Sequence, residues 1–289
     1  MEIIDAQIHE PPAELPWDLA PELKLRLSCE LALAAMNAVG VDRALLHASA
    51  AMCAYAVEHS PDRFRGVAIH AGHRPAAEAR ALVERVSGDA GLLGLRMSRM
   101  VDWVADVPPT WPDTGEYDDV FSAAERCDVP ILIAVPGYAD VLAPIAARYP
   151  ALCIIVDHLG LRQPPPMTAD ADPFARLPRL LELARFPNVA VKLSGAPSLS
   201  TQPFPHPDLW SPVRRVLDAF GADRVMWGSD YTRLRTTLGA EGVAPRSAWL
   251  SSYADSVGYL RHGMGLSAAE QDAIFSTTAR VWLSWPKDN

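Results

Sequence analysis

His9, His158 and Asp230 each close a short apolar run, and together they could move protons or hold a cation. His9 ends Ile4-Asp5-Ala6-Gln7-Ile8-His9, His158 ends Ile154-Ile155-Val156-Asp157-His158, and Asp230 ends Met226-Trp227-Gly228-Ser229-Asp230. Imidazole and carboxylate are the groups that serve general acid–base chemistry near neutral pH and that ligate zinc. Further runs carry Gln7, His47, His70 and Arg96 at or near their ends, and Lys192 interrupts another. Each has an ordinary structural alternative, a satisfied core histidine or a helix-capping aspartate. Repetition at the ends of successive runs is what points to a shared site.

Side-chain alternation refines the expectation, because successive residues of a strand point to opposite faces. It puts Asp5, Gln7 and His9 on one face. In the sixth run it sends one of Asp157 and His158 to the site and the other to the helices or rim. His158 is read as catalytic and Asp157 as a cap or rim partner. Met226, Gly228 and Asp230 share a face, with Gly228 allowing close packing beneath the carboxylate. Ser229 has the other parity and no Gly-x-Ser-x-Gly context, so no serine nucleophile is expected. Arg96 offers a planar fork suited to a carboxylate. Gln7, His47, His70 and Lys192 join it as substrate-binding candidates. Arg99 reads as a solvated loop residue, and His59, His73, His206 and His262 as surface or loop positions.

Positioning these groups falls to an alternation of strand and helix. Short β-branched runs lie at Ile3–His9, Arg43–His47, Phe64–His70, Leu92–Ser98, Val129–Val135, Cys153–His158, Val189–Gly195 and Arg224–Asp230. Between them lie helical patterns at Pro21–Val39, Ala50–Ser60, Pro75–Ser87, Glu116–Cys127, Tyr138–Tyr149, Pro173–Phe186 and Pro207–Phe220, and Ser247–His262 and Ser267–Leu283 follow. Eight such units predict a (β/α)8 barrel, whose strand C-termini converge on one mouth. An open doubly wound sheet would show a Gly-rich turn after its first strand, where this chain has His9-Glu10-Pro11-Pro12. Prolines cluster at Pro11–Pro16, Pro108–Pro112 and Pro164–Pro166, each after a strand, and read as stiff loops on the catalytic face. One domain over residues 1–289 is expected.

Composition excludes several classes. The 289 residues carry a net charge of −9, which argues against nucleic-acid binding. No run approaches the roughly 18 apolar residues of a membrane span. With no secretory leader pattern before the first strand, a cytoplasmic location is expected. Cys29, Cys53, Cys127 and Cys153 form no Cys-x-x-Cys pair and read as buried free thiols.

The segments Ile4-Asp5-Ala6-Gln7-Ile8-His9, Gly94-Leu95-Arg96, Ile155-Val156-Asp157-His158-Leu159-Gly160, Val191-Lys192-Leu193-Ser194-Gly195 and Phe220 to Asp230 occur in an order that resembles the amidohydrolase-related family. This is the lactonase-like branch of the amidohydrolase superfamily, acting on sugar lactones and pyrone dicarboxylates. The superfamily pattern has a His-x-His pair on strand one, a Lys or Glu on strand four, His on strands five and six, and Asp on strand eight. Here Gln7 replaces the first His, strand five has none, and strand four offers Arg96. The resemblance therefore implies no required cofactor and at most one weakly held zinc, on His9, His158 and Asp230. It implies a lactone hydrolase in which Asp230 activates water, His158 and His9 polarise the carbonyl, and Arg96 holds a substrate carboxylate. An ordinary aspartate pKa of about 3.9 is low for such a base, so some desolvation at the barrel mouth would help. Tyr231-Thr232-Arg233 replaces the Trp-Pro common in sugar lactonases. The expected partner is a small anionic substrate, with a homo-oligomer open. Two alternatives stand beside this reading: a zinc-dependent decarboxylase or hydratase of an unsaturated or aromatic acid, and a non-catalytic ligand-binding barrel.

Overall fold

The structure, a computed structural model, describes residues 1–10, 19–102, 106–163, 167, 170–232 and 251–286. The loop residues Pro11–Pro16 and Pro164–Pro166, Arg233, and the first four positions of the Ser247–His262 pattern lie outside the described residues.

Eight parallel strands pair in chain order: β1 Ile4–Ile8, β2 Arg43–Leu46, β3 Phe64–Ala71, β4 Leu92–Ser98, β5 Ile131–Ile133, β6 Ile154–Val156, β7 Val189–Lys192 and β8 Val225–Met226. Backbone bonds close the ring: Ala6 N–H donates to Trp227 O at 3.1 Å and Asp230 N–H to Gln7 O at 2.9 Å. The fold is the (β/α)8 barrel read from the sequence. Helices α1 Pro21–Val39, α2 Ala50–His59, α3 Ala76–Gly88, α4 Trp111–Thr114, α5 Asp118–Arg126, α6 Ala143–Arg148, α7 Leu177–Leu181 and α8 Trp210–Phe220 surround it, followed by α9 Tyr253–Gly258, α10 Ala268–Asp272 and α11 Thr278–Trp282. No described helix is long and apolar enough to cross a membrane.

Local chemistry explains the boundaries. Pro21 opens α1 where its missing N–H is no loss, and Gly40, at φ 73°, ends it in the left-handed conformation that glycine adopts without strain. Ser49 caps α2 by accepting from Met52 N–H. Ser252 with Asp255, and Ser267 with Glu270, form reciprocal capping boxes that start α9 and α10.

The buried apolar residues fall into two layers. Ile4, Ala6, Leu45, Val67, Leu93, Leu132, Ile155, Ala190 and Met226 fill the barrel interior, so it is packed rather than open. Ala279, Leu283 and Trp285 join that cluster. The alternate strand residues, such as Ile3, Ile8, Ala44, Leu46, Val156 and Trp227, pack outward in the layer that includes helix residues. Every strand thus buries both faces, as parallel strands do. Not all the thiols are buried: Cys127 is exposed and Cys153 half-buried, and all four are free.

Two register irregularities decide what faces the mouth. The β1–β2 pairing shifts between Asp5 and Ile8, and the β3–β4 pairing between Gly66 and Ala68. The second leaves an extra residue on β4, at a place where a Cβ on Gly94 would stand 2.6 Å from Leu132 Cδ1. A bulge of this kind inverts the facing of every residue after it.

Candidate active site

The shift in β1 overturns simple alternation. Ile4 and Ala6 face the barrel interior, Ile8 faces outward, and Gln7 and His9 turn inward after the bulge. Asp5 does not share their face. Its Oδ1 accepts from the backbone N–H groups of Gln7 at 3.0 Å and Ser229 at 2.8 Å, and its Oδ2 accepts from Tyr253 Oη at 2.8 Å. Burial pushes its carboxyl up to about 6 against these donors. Asp5 therefore clamps the β1–β8 seam on which Gln7 and Asp230 sit.

Asp230 lies beyond β8 at φ 61°, a strained conformation for a residue with a side chain. Its Oδ1 accepts from His9 Nε2 at 2.9 Å and from Gln7 Nε2 at 2.9 Å. Its Oδ2 has no hydrogen-bond partner among the described residues, and Asp230 lines the cavity at the mouth. Gly228 makes room below, since a Cβ there would stand 3.2 Å from Gln7 Cβ and from Ser194 Cβ.

The end of β6 also departs from alternation. His158 and Leu159 are both left-handed, at φ 54° and 58°, and this turn brings Asp157 and His158 to the mouth together. Asp157 is no rim cap. It is fully buried, 2.7 Å from Lys192 Nζ and accepting from Arg96 Nε at 2.8 Å. Burial opposes its ionisation, but the Lys192 and Arg96 cations outweigh burial and hold it well below the usual carboxylate range. Alternation with inward Ile155 was the signal that could have identified it. His158 Nδ1 lies 3.0 Å from Ser194 O, which can only accept, so Nδ1 carries the proton. Nε2 is left to accept from Gln7 Nε2 at 3.2 Å. His9 Nδ1 likewise donates to His47 O at 2.8 Å.

Burial raises the Asp230 pKa, but the hydrogen bond and positive charge of His9, which donates from both ring nitrogens, and the guanidinium of Arg96 outweigh it and bring the carboxyl to about 2. Desolvation is present, and through-space attraction exceeds it.

Three of the substrate-binding candidates do not reach the cavity surface. Gln7 is fully buried, with both amide atoms engaged by protein groups. Lys192 is fully buried behind it, donating to Gln7 Oε1 at 2.8 Å. His70 points out of the barrel: it is buried edge-on against Tyr117, with Nε2 3.4 Å from the Tyr117 hydroxyl. His47 lines the cavity but is almost wholly buried, its Nε2 3.2 Å from Ala6 O. Burial and the neighbouring Lys192, Arg96 and His9 depress its pKa, so it is neutral. Arg96 remains. Its Nε is spent on Asp157, and its terminal nitrogens have no partner among the described residues.

His206 is not a surface residue either. It is buried, with Nδ1 donating to Gln202 O at 2.9 Å and its ring edge-on to Tyr259. Sequence reading also passed over Gln163 and Ser198, which line the mouth. Ser198 Oγ donates to Gln163 Oε1 at 2.6 Å. Gln163 sits in an irregular segment and Ser198 in the short 3-10 turn Ala196–Leu199, neither long enough to leave a periodicity.

A cavity opens over this cluster, lined there by His9, Arg96, His158, Gln163, Ser198 and Asp230, and continues between α2 and α3, the whole measuring about 1180 Å³. That is room for a small molecule. The donor set does not fit a metal ion. Among the described residues no group of three His, Cys, Asp or Glu side chains is arranged to hold one. The N–H end of Gln7, not an acceptor atom, faces His9, His158 and Asp230.

A family model described as Amidohydrolase matches residues 4–284. An L-fucono-1,5-lactonase of Burkholderia ambifaria is 36% identical over 157 residues, 52% of this chain and 47% of that protein. The match thus spans about half the length of that curated relative. A crystal structure of an amidohydrolase from Burkholderia multivorans with bound zinc superposes with a TM-score of 0.72 at 22% identity, covering 99% of this chain and 100% of the other. A crystal structure of a probable 2-pyrone-4,6-dicarboxylic acid hydrolase from Acinetobacter baumannii, with citric acid bound, gives 0.68 at 16% identity, covering 98% and 100%.

Proposed function

This chain belongs to the amidohydrolase family, and on that premise we propose that it hydrolyses a lactone or related cyclic ester of a small carboxylated or sugar-derived molecule. The observation that carries the reading is the asymmetry of Asp230. One carboxylate oxygen is anchored by His9 and Gln7, and the other faces the cavity without a protein partner among the described residues. A water held on Oδ2 attacks the lactone carbonyl carbon and passes its proton to the carboxylate. The tetrahedral intermediate collapses by breaking the ring C–O bond. The proton returns from Asp230 to the departing alkoxide, and a hydroxy acid is released. A carboxylate with a pKa near 2 is a weak base, so the substrate must be an activated ester. A strained or electron-poor lactone meets that condition and an ordinary amide does not.

The rings of His9 and His158 hold Asp230 and Gln7 in place. Their nitrogens nearest Asp230 are spent on Asp230 and Gln7, which leaves little for polarising the carbonyl. The terminal nitrogens of Arg96, without a partner among the described residues, meet the substrate's carboxylate or developing oxyanion. The reaction proceeds without a metal, a reading supported by the outward N–H groups of Gln7. Residues 1–289 act as one domain.

The test is a panel of sugar lactones, pyrone carboxylates and simple lactones, followed by acid release with a pH indicator. Turnover of one of them, persisting after exhaustive chelation, is expected. Carbon dioxide release from an aromatic acid, dependent on added zinc, would replace the reading with the decarboxylase alternative. Binding without turnover of any compound would favour the ligand-binding barrel.

A further inference from the structure

Gln7 Nε2 occupies the point on which a cation's ligands would converge. It lies 3.3 Å from His9 Nε2, 3.2 Å from His158 Nε2 and 2.9 Å from Asp230 Oδ1. An amide can be turned over, exchanging its oxygen for its nitrogen, and the neighbours decide which end goes where. Here Lys192 decides. An ammonium has three donors and no acceptor, so at 2.8 Å it tolerates only Oε1. Turning the amide over would set N–H groups against the ammonium. Both side chains are fully buried, so no solvent would relieve that contact. Lys192 is itself held, 2.7 Å from Asp157 Oδ1, while Asp157 Oδ2 accepts from Arg96.

We propose that Lys192 is a positioning residue that locks the Gln7 amide with its N–H groups on the His9, His158 and Asp230 cluster, and that this lock excludes divalent cations from the mouth. A cation there would meet the positive end of the amide dipole, with a full positive charge behind it. The two amide protons instead supply the organising contacts, one to Asp230 Oδ1 and one to an imidazole Nε2. The inference concerns the same mouth as the proposed hydrolase but is read without substrate. It stands or falls whether or not any lactone is opened.

The experiment titrates Co²⁺ into the full chain, reading visible absorption bands and, after dialysis, bound metal per chain. Wild type should take up no stoichiometric Co²⁺. Gln7→Glu keeps the shape and replaces the N–H groups with an acceptor oxygen, so it should take up about one equivalent, a single ion held by that oxygen with His9, His158 and Asp230. Lys192→Met frees the amide to turn Oε1 toward the rings and should tighten Co²⁺ binding by about tenfold or more, a 1.4 kcal/mol difference. Adding Asp230→Asn to either variant should abolish the gain. Circular dichroism establishes that each variant is folded, and Gln7→Glu, which keeps Lys192 and its partners, decides the matter if Lys192→Met does not fold. Stoichiometric Co²⁺ on wild type that Asp230→Asn removes would overturn the inference. So would a folded Gln7→Glu protein that stays metal-free, or a folded Lys192→Met protein binding no better than wild type.

Discussion

Replacing Asp230 with asparagine removes one property of the carboxylate and leaves the rest in place. The asparagine Oδ1 can still accept from Gln7 Nε2 and His9 Nε2, both 2.9 Å away in the wild type. Its NH₂ then stands where Oδ2 faces the cavity and offers a donor where an acceptor is needed. Loss of a catalytic base costs about 10²–10⁴-fold, which is about 2.7–5.4 kcal/mol at 1.36 kcal/mol per decade. The loss should fall on kcat, because Arg96 is untouched and continues to meet the anionic part of the substrate. Stability should change little: one charge-assisted bond from His9 becomes a neutral one, a loss of about 1 kcal/mol or a fall in Tm of about 2–4 °C. The assay is initial rate against lactone concentration with a pH indicator, beside a thermal melt of the same preparation. A kcat within threefold of wild type, with the melt unchanged, would refute the reasoning and remove Asp230 from the chemistry.

Arg96→Met should show the opposite weighting, raising KM about tenfold or more for a carboxylated lactone and lowering kcat less. It also leaves Asp157 with Lys192 as its ion-pair partner, so a lower melting temperature should accompany it. His70→Phe should leave kcat and KM within about threefold, since the ring packs on Tyr117 outside the barrel; a loss beyond tenfold would place His70 in the site after all. The pH dependence follows from the lowered Asp230 value. A carboxyl with a folded pKa near 2 and an ordinary value of 3.8 adds stability above 3.8 that is lost as pH falls through 2. The acid limb of kcat/KM should therefore lie below pH 3.8, and a limb near pH 5 or 6 would assign the titration to another group.

The period of the apolar runs was sufficient for the barrel, because a buried parallel strand and an amphipathic helix each leave a local pattern. The same pattern placed His9, Arg96, His158 and Asp230 at strand ends, and strand ends in a barrel converge. It did not decide which neighbour of each turns inward. Alternation is local only until a bulge or a left-handed residue interrupts it. The shift in β1 separates Asp5 from Gln7, and the turn at His158 and Leu159 brings Asp157 and His158 to the same mouth. No residue type announces either event. Whether a polar side chain meets substrate or protein is likewise a matter of the third dimension. Lys192 and His70 look alike in sequence, each a polar residue on an apolar strand, yet one is buried inside the barrel against Asp157 and the other outside it against Tyr117. The basicity of Asp230 was least legible of all, because it depends on charges brought within a few ångströms from distant strands. Coulomb attraction acts through space and not along the chain.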